Sequence, residues 1–307
     1  LTQEMVAVES INLGKASRMN DAQGRYIEFC KSSFTDLDLN GLSILLDCAN
    51  GATYSVAPKV FSELGAKVET IGSSPDGINI NQNCGSTNPE FLKEEIIKGS
   101  YDLGIAFDGD GDRILIVNSE GDILDGDDIL YILSNNLPAD SGVVGTLMTN
   151  KALEIFFEKN DIPFIRADVG DKYVLQRLLE ESWVLGGEPS GHIICLDSAP
   201  TGDAIIAALN LLNAIKDNNF SVKKSLEGFK KFPQTLINLK VNNPNKIIVS
   251  DKFWSEVTRI EKQLGQNGRV LIRPSGTEPL IRIMVESDKS GASHDFCNAL
   301  ADLAQTI

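Results

Sequence analysis

Short apolar runs, each followed by a stretch with helical spacing, recur along most of the chain, and this alternation limits the fold more than any other feature of the sequence. Residues 42–46, 67–71 and 103–107 have the character of strands, and 56–64 and 89–98 between them repeat apolar positions at helical intervals. Strands joined through helices do not pair as hairpins, so this block predicts an α/β layer with a largely parallel sheet. The alternation restarts with strands at 114–117, 142–147, 164–166 and 193–196, and with helices from 126 and over 151–160, 171–181 and 202–216. Beyond Phe232-Pro233 the rhythm changes. A strand of alternating polarity at 236–241, a helix at 251–264, strands at 269–272 and 280–285 and a helix at 292–304 predict a small α+β domain. Residues 1–40 are expected to form a connecting helix, with Asp21 at its N-cap and Tyr26, Ile27, Phe29 and Cys30 at helical spacing.

Charge narrows the partners. Lys and Arg total 28 against 43 Asp and Glu, a net charge of −15, which argues against non-specific binding to nucleic acid or anionic membrane. No apolar run approaches the roughly 18 residues that span a bilayer. Cys30, Cys48, Cys84, Cys195 and Cys297 are scattered and never form a Cys-x-x-Cys pair, so reduced thiols in a cytoplasmic setting are expected.

Three loops carry chemistry. Asp108-Gly109-Asp110-Gly111-Asp112-Arg113 follows a buried strand. Three carboxylates so close repel one another unless a cation joins them, and oxygen ligands suit a hard ion such as magnesium or calcium. An EF-hand loop would need Gly at position six and Glu at position twelve, where Arg113 and Ser119 stand. Magnesium usually completes its shell with water or phosphate oxygens, which points toward phosphoryl chemistry.

The second loop, Gly186-Gly187-Glu188-Pro189-Ser190-Gly191-His192, sets a carboxylate, a hydroxyl and an imidazole at alternate positions. Glu188, Ser190 and His192 can then face one way and hydrogen-bond sugar hydroxyls, and His192 is able to move a proton at neutral pH. A hairpin turn with a packed imidazole is the plainer alternative. In the third loop, Arg273-Pro274-Ser275-Gly276-Thr277-Glu278-Pro279, with Arg282 on the next strand, two hydroxyls, Gly276 and two guanidiniums make a cradle for a phosphate dianion. Lys172 either adds a positive charge to the site or is an exposed lysine at a helix start. Ser293-His294 is set aside as a catalytic pair, because adjacent helical residues do not face each other.

Taken in this order, the three loops resemble the α-D-phosphohexomutase superfamily, and within it the phosphoglucosamine-mutase branch. Segments 13–18, 24–30, 47–54, 145–150 and 169–173 are similar to that branch as well, and Pro189 departs from it. The resemblance implies two successive α/β/α three-layer domains with mixed, mainly parallel sheets (1–122 and 123–232), then a smaller α+β domain with an antiparallel sheet (233–307). Residues 1–16 would be a connecting helix from a further domain.

The implied reaction interconverts glucosamine 6-phosphate and glucosamine 1-phosphate through a phosphoserine and a bisphosphorylated sugar. By the same resemblance, Asp108, Asp110 and Asp112 hold Mg²⁺, and Arg113, His192 and Lys172 are catalytic. Glu188, Ser190, Arg273, Ser275, Gly276, Thr277 and Arg282 would bind the substrate. A Thr-Ala-Ser-His-Asn-Pro-type loop, whose serine carries the phosphoryl group in that family, does not occur in these 307 residues. This chain alone is therefore expected to be inactive. The alternatives are a relative acting on mannose or glucose phosphates and a non-catalytic sugar-phosphate-binding module. The expected partner is a phosphorylated hexosamine, with a homodimer allowed and no nucleic acid or membrane.

Overall fold

The computed structural model describes residues 8–241, 243–274 and 279–307. Its first sheet contains β1 (Ser43–Asp47), β2 (Lys67–Ile71), β3 (Leu103–Phe107), β4 (Ile114–Asn118) and β5 (Ile123–Leu124), in the order β2-β1-β3-β4-β5. Pairings among β1, β2 and β3 are parallel, and β4 and β5 add antiparallel. Helices α1 (Ala22–Ser32), α2 (Ala57–Glu63) and α3 (Glu90–Lys98) belong to this unit. Leu92 and Ile96 of α3 cover Leu45, Ala106 and Val117 on one face of the sheet, while Val60 and Phe61 of α2 share a core with Ile44, Leu46 and Ile105 from the other. Strands covered on both faces must be apolar throughout, which is why they read as unbroken runs.

The second sheet has β6 (Val143–Thr146), β7 (Phe164–Ala167), β8 (Leu185–Gly187) and β9 (Ile193–Cys195), ordered β7-β6-β8-β9, with only the β8–β9 pairing antiparallel. Its helices are α4 (Gly126–Ser134), α5 (Lys151–Lys159), α6 (Asp171–Glu181), α7 (Ala204–Ile215) and the short α8 (Val222–Ser225). Helix α7 is apolar on nearly every side and packs against both β4 and β9, so one continuous core joins the two α/β units. Asp203 caps it by accepting from the N–H groups of Ile205 and Ile206, each at 3.0 Å.

A third, wholly antiparallel sheet is ordered β10 (Gln234–Lys240), β12 (Leu280–Ser287), β11 (Gly268–Pro274). With α9 (Pro244–Ile248), α10 (Asp251–Leu264) and α11 (Ala292–Gln305) it encloses a core of its own. Phe253, Val257 and Ile260 of α10 and Leu300 of α11 close over Ile281, Ile283 and Val285.

Several expectations need correction. Of the connecting helix expected over 1–40, residues 1–7 lie outside the described ones, 8–21 hold only the three-residue turn Ser10–Asn12, and α1 starts at Ala22. That stretch lacks a repeating apolar face to bury, so nothing stabilises a longer helix there. Asp21 stands at the N-cap position, but its carboxylate takes Arg25 Nε at 2.7 Å instead of capping. Strand 114–118 does not open the second block. It folds back on β3, because the glycines at 109 and 111 allow a tight reversal, and β5 extends the same sheet past residue 122. Ser293 sits in the first turn of α11, buried, where its hydroxyl accepts from Thr235 Oγ1 at 3.1 Å. All five cysteines are buried and free. Among the described residues, no helix is long and apolar enough to cross a membrane.

Candidate active site

The acidic loop leaves the C-terminal end of β3, beside the C-terminal end of its parallel neighbour β1, where open α/β sheets form ligand crevices. The loop after β1 supports it. Ala52 N donates to Gly109 O at 2.8 Å, and a Cβ at Gly51 would lie 2.2 Å from that same oxygen, so only glycine permits the approach. Gly111 has φ +79, a left-handed turn that favours glycine, and its carbonyl accepts from Ala204 N at 2.9 Å.

Asp108 is fully buried. Its Oδ1 accepts from the N–H groups of Gly111, Asp112 and Arg113 at 3.1–3.2 Å, and its Oδ2 accepts from Arg113 Nε at 2.6 Å. Burial alone would raise its pKa, but the Arg113 guanidinium and backbone N–H outweigh it and hold the group below the usual carboxylate range. Asp112 moves the other way, pushed up by burial and by the neighbouring Asp108. Carboxylate oxygens of Asp108, Asp110 and Asp112 lie within 4.8 Å of one another, and Asp112 Oδ1 is buried without a hydrogen-bond partner. An orphaned acceptor between like charges is the environment a hard divalent cation relieves, so the residues present fit such an ion.

The β8–β9 hairpin brings the second loop onto the first. Ile114 N donates to Gly191 O at 3.0 Å, Arg113 pairs with His192 in an isolated antiparallel bridge, and His192 Nδ1 lies 3.0 Å from Asp112 Oδ2. The imidazole is only 6% exposed and its Nε2 faces Gly202, so the ring serves Asp112 directly and does not lie open beside the other two loop residues. Glu188 Oε1 accepts from Gly170 N at 2.6 Å and Oε2 accepts from Ser190 Oγ at 3.2 Å. Those two side chains therefore stay together, as their alternate spacing suggested. Lys172 stands exposed on the first turn of α6 with Nζ 5.6 Å from the Tyr173 ring centre, near the Gly170 contact but in no ion pair among the described residues.

Arg273 and Arg282 face each other directly across β11 and β12. Like charges in that relation are unfavourable unless an anion lies between them. Ser275, Gly276 and Thr277 lie outside the described residues. Sequence reasoning missed Gly51, Ala52 and Gly202, whose contributions are a backbone N–H and the lack of a side chain. The one available signal was the turn-rich Asp47-Cys48-Ala49-Asn50-Gly51 run after a strand, with Ala49 and Asn50 both at positive φ.

Profiles of the phosphoglucomutase/phosphomannomutase family match along the chain: α/β/α domain II at 24–121, α/β/α domain III at 125–232 and the C-terminal domain at 236–303. The phosphoglucosamine mutase of Pseudomonas aeruginosa (strain UCBPP-PA14) is 48% identical over 312 residues, covering 100% of this chain and 70% of the relative. That of Acinetobacter baumannii (strain AYE) is 51% identical over 314 residues, covering 99% and 70%. The crystal structure of Aspergillus fumigatus N-acetylphosphoglucosamine mutase in complex with GlcNAc-6P and magnesium superposes with a TM-score of 0.74 at 21% identity, over 91% of this chain and 70% of that one. A Burkholderia thailandensis phosphoglucomutase/phosphomannomutase family protein gives 0.76 at 23% identity, over 92% and 64%.

Proposed function

The chain belongs to the phosphoglucomutase/phosphomannomutase family of phosphohexomutase isomerases, and from that premise we propose that it works in the interconversion of glucosamine 6-phosphate and glucosamine 1-phosphate. The observation that carries the proposal is the 3.0 Å contact between His192 and Asp112, which makes the acidic loop and the sugar-type loop one site.

In this reading Glu188 and Ser190 hydrogen-bond the sugar hydroxyls, and Arg273, Arg282 and residues 275–277 grip the phosphate that does not react. Arg113, with Nε on Asp108, offers the rest of its fork to the transferring phosphoryl group. Asp108, Asp110 and Asp112 would hold Mg²⁺, the ion in the Aspergillus complex, whose charge offsets that of the phosphoryl oxygens. His192 fixes the Asp112 carboxylate. A proton shuttle at this ring, expected from the sequence, would work through the nitrogen facing Gly202. Lys172 would add positive charge at the rim. The phosphoserine donor would come from residues outside these 307. We further take 1–124, 125–232 and 233–307 as the three domains, the expected boundary at 122 moving past β5, and the cytoplasm as the setting.

Calorimetry on this chain with Mg²⁺ and glucosamine, glucose and mannose 6-phosphates tests the reading. Preferential binding of the amino sugar is expected, with no turnover by the chain alone. Equal binding of all three moves the assignment to a phosphomannomutase or phosphoglucomutase, and turnover by the isolated chain means that the donor has been misplaced.

A further inference from the structure

Among the described residues, every hydrogen bond between the C-terminal unit (234–307) and residues 8–231 lands on one short loop, 147–151, and comes from Arg269 or Glu286. Arg269 donates from Nη1 to Leu147 O at 2.9 Å and from Nη2 to Thr149 O at 2.8 Å. Glu286, fully buried, accepts from Lys151 N at 3.0 Å and from Arg269 Nε at 2.7 Å. The C-terminal unit keeps its own core, and a cavity of about 710 Å³ opens between it and α5 beside this contact. Hydrogen bonding across the junction is thus one pin with a cavity beside it.

That pin is aligned with the phosphate arm. Arg269 pairs with Glu286 and Arg273 with Arg282 in one register, so both pairs occupy the same face of the β11–β12 ribbon. Four residues separate them, roughly 13 Å at about 3.3 Å per residue. The far side of the 147–151 loop is held equally firmly. Arg166 Nη1 donates to Thr149 O at 2.7 Å, and Asp127 accepts from Asn150 N at 2.8 Å. Gly126, beside Asp127, donates to Pro189 O of the sugar loop at 3.2 Å. A continuous path of contacts therefore runs from the sugar loop to the opposed arginines.

We propose that Arg269 and Glu286 are positioning residues that set the distance between the arginine pair receiving the phosphate and the loop receiving the sugar ring. This rests on the reading of the site given above. A tilt of roughly 10° at the pin would carry the arginines about 2 Å over that lever, and misplacement by about 1 Å already costs on the order of a hundredfold in rate. Two carbonyls taken by one planar fork require arginine, since lysine presents a single ammonium.

The test compares a ligand that spans both parts with one that touches a single part. The chain is titrated with glucosamine 6-phosphate and, separately, with inorganic phosphate, as wild type, Arg269→Lys and Glu286→Gln. Both variants are expected to bind the sugar phosphate at least tenfold more weakly while inorganic phosphate stays within twofold, and small-angle scattering should show a larger radius of gyration. A ratio of affinities unchanged from wild type, or a parallel loss of both ligands, overturns the proposal. So does failure of both conservative variants to fold, because the two sides have separate cores. A wild-type chain that ignores glucosamine 6-phosphate contradicts the proposed reaction instead, and scattering alone then judges the pin, with an unchanged radius in the variants overturning it.

Discussion

His192 Nδ1 and Asp112 Oδ2 lie 3.0 Å apart although 80 positions separate the residues. A hydrogen bond to one carboxylate of the acidic cluster from a second loop orients it, the relation that partners behind metal ligands commonly have. The space for the ring comes from Gly202, where an added Cβ would stand 2.2 Å from His192 Nε2.

Gly202→Ala should therefore displace the imidazole from Asp112. The chain has two histidines, His192 and His294, so NMR separates them easily. The His192 ring signals are expected to shift while those of His294 stay in place, and affinity for a divalent ion should fall by about tenfold. Unmoved His192 signals would show that the loop absorbs the methyl group without releasing the ring.

Arg273→Ala removes one of two opposed guanidiniums. Binding of glucosamine 6-phosphate should weaken by about 2–5 kcal/mol if a desolvated charge pair is lost, read by calorimetry on folded protein. Affinity within error of wild type would take this strand end out of the site.

Asp127 predicts a pH dependence of stability. It is buried, accepts from Asn150 N through Oδ2, and its Oδ1 has no partner. Burial first, then the charge of Asp125, push its pKa up to about 8. Burial raises Asp128 to about 6 although Lys231 pulls the other way. Both values exceed the unfolded value near ~4, so the native state keeps protons that the unfolded chain releases. Stability from these groups is complete below about pH 4 and declines as pH rises toward about 8, at up to roughly 1.4 kcal/mol per unit per proton. Thermal unfolding of wild type should show Tm falling from pH 6 to 8.5, and Asp127→Asn, neutral at every pH and still an acceptor, should flatten the fall. Equal slopes in the two proteins would contradict the assignment.

Much of this was legible in the sequence because burial writes itself as pattern. Strands covered on both faces, such as 103–107, appear as apolar runs, and three interleaved aspartates after one of them mark the carboxylate cluster that the fold draws together. Strand direction is not written that way. Residues 114–118 have the same composition whether they begin a new sheet or fold back on β3, and only the tight reversal at 109–112 decides. Contacts made by backbone or by an absent side chain, at Ala52, Gly51 and Gly202, leave no chemical signature in a single sequence. Nothing in the sequence marks Arg269 and Glu286, whose pairing across β11 and β12 and whose partners at Leu147, Thr149 and Lys151 exist only in the fold.

The central claim is that Asp108, Asp110 and Asp112 hold a divalent ion next to the sugar loop. Anomalous diffraction from crystals of the chain soaked in manganese tests it most directly. The account predicts one strong peak within coordination distance of oxygens from these three carboxylates, lost in Asp110→Asn/Asp112→Asn. A saturated crystal with no peak there, or with its peak elsewhere, would contradict it.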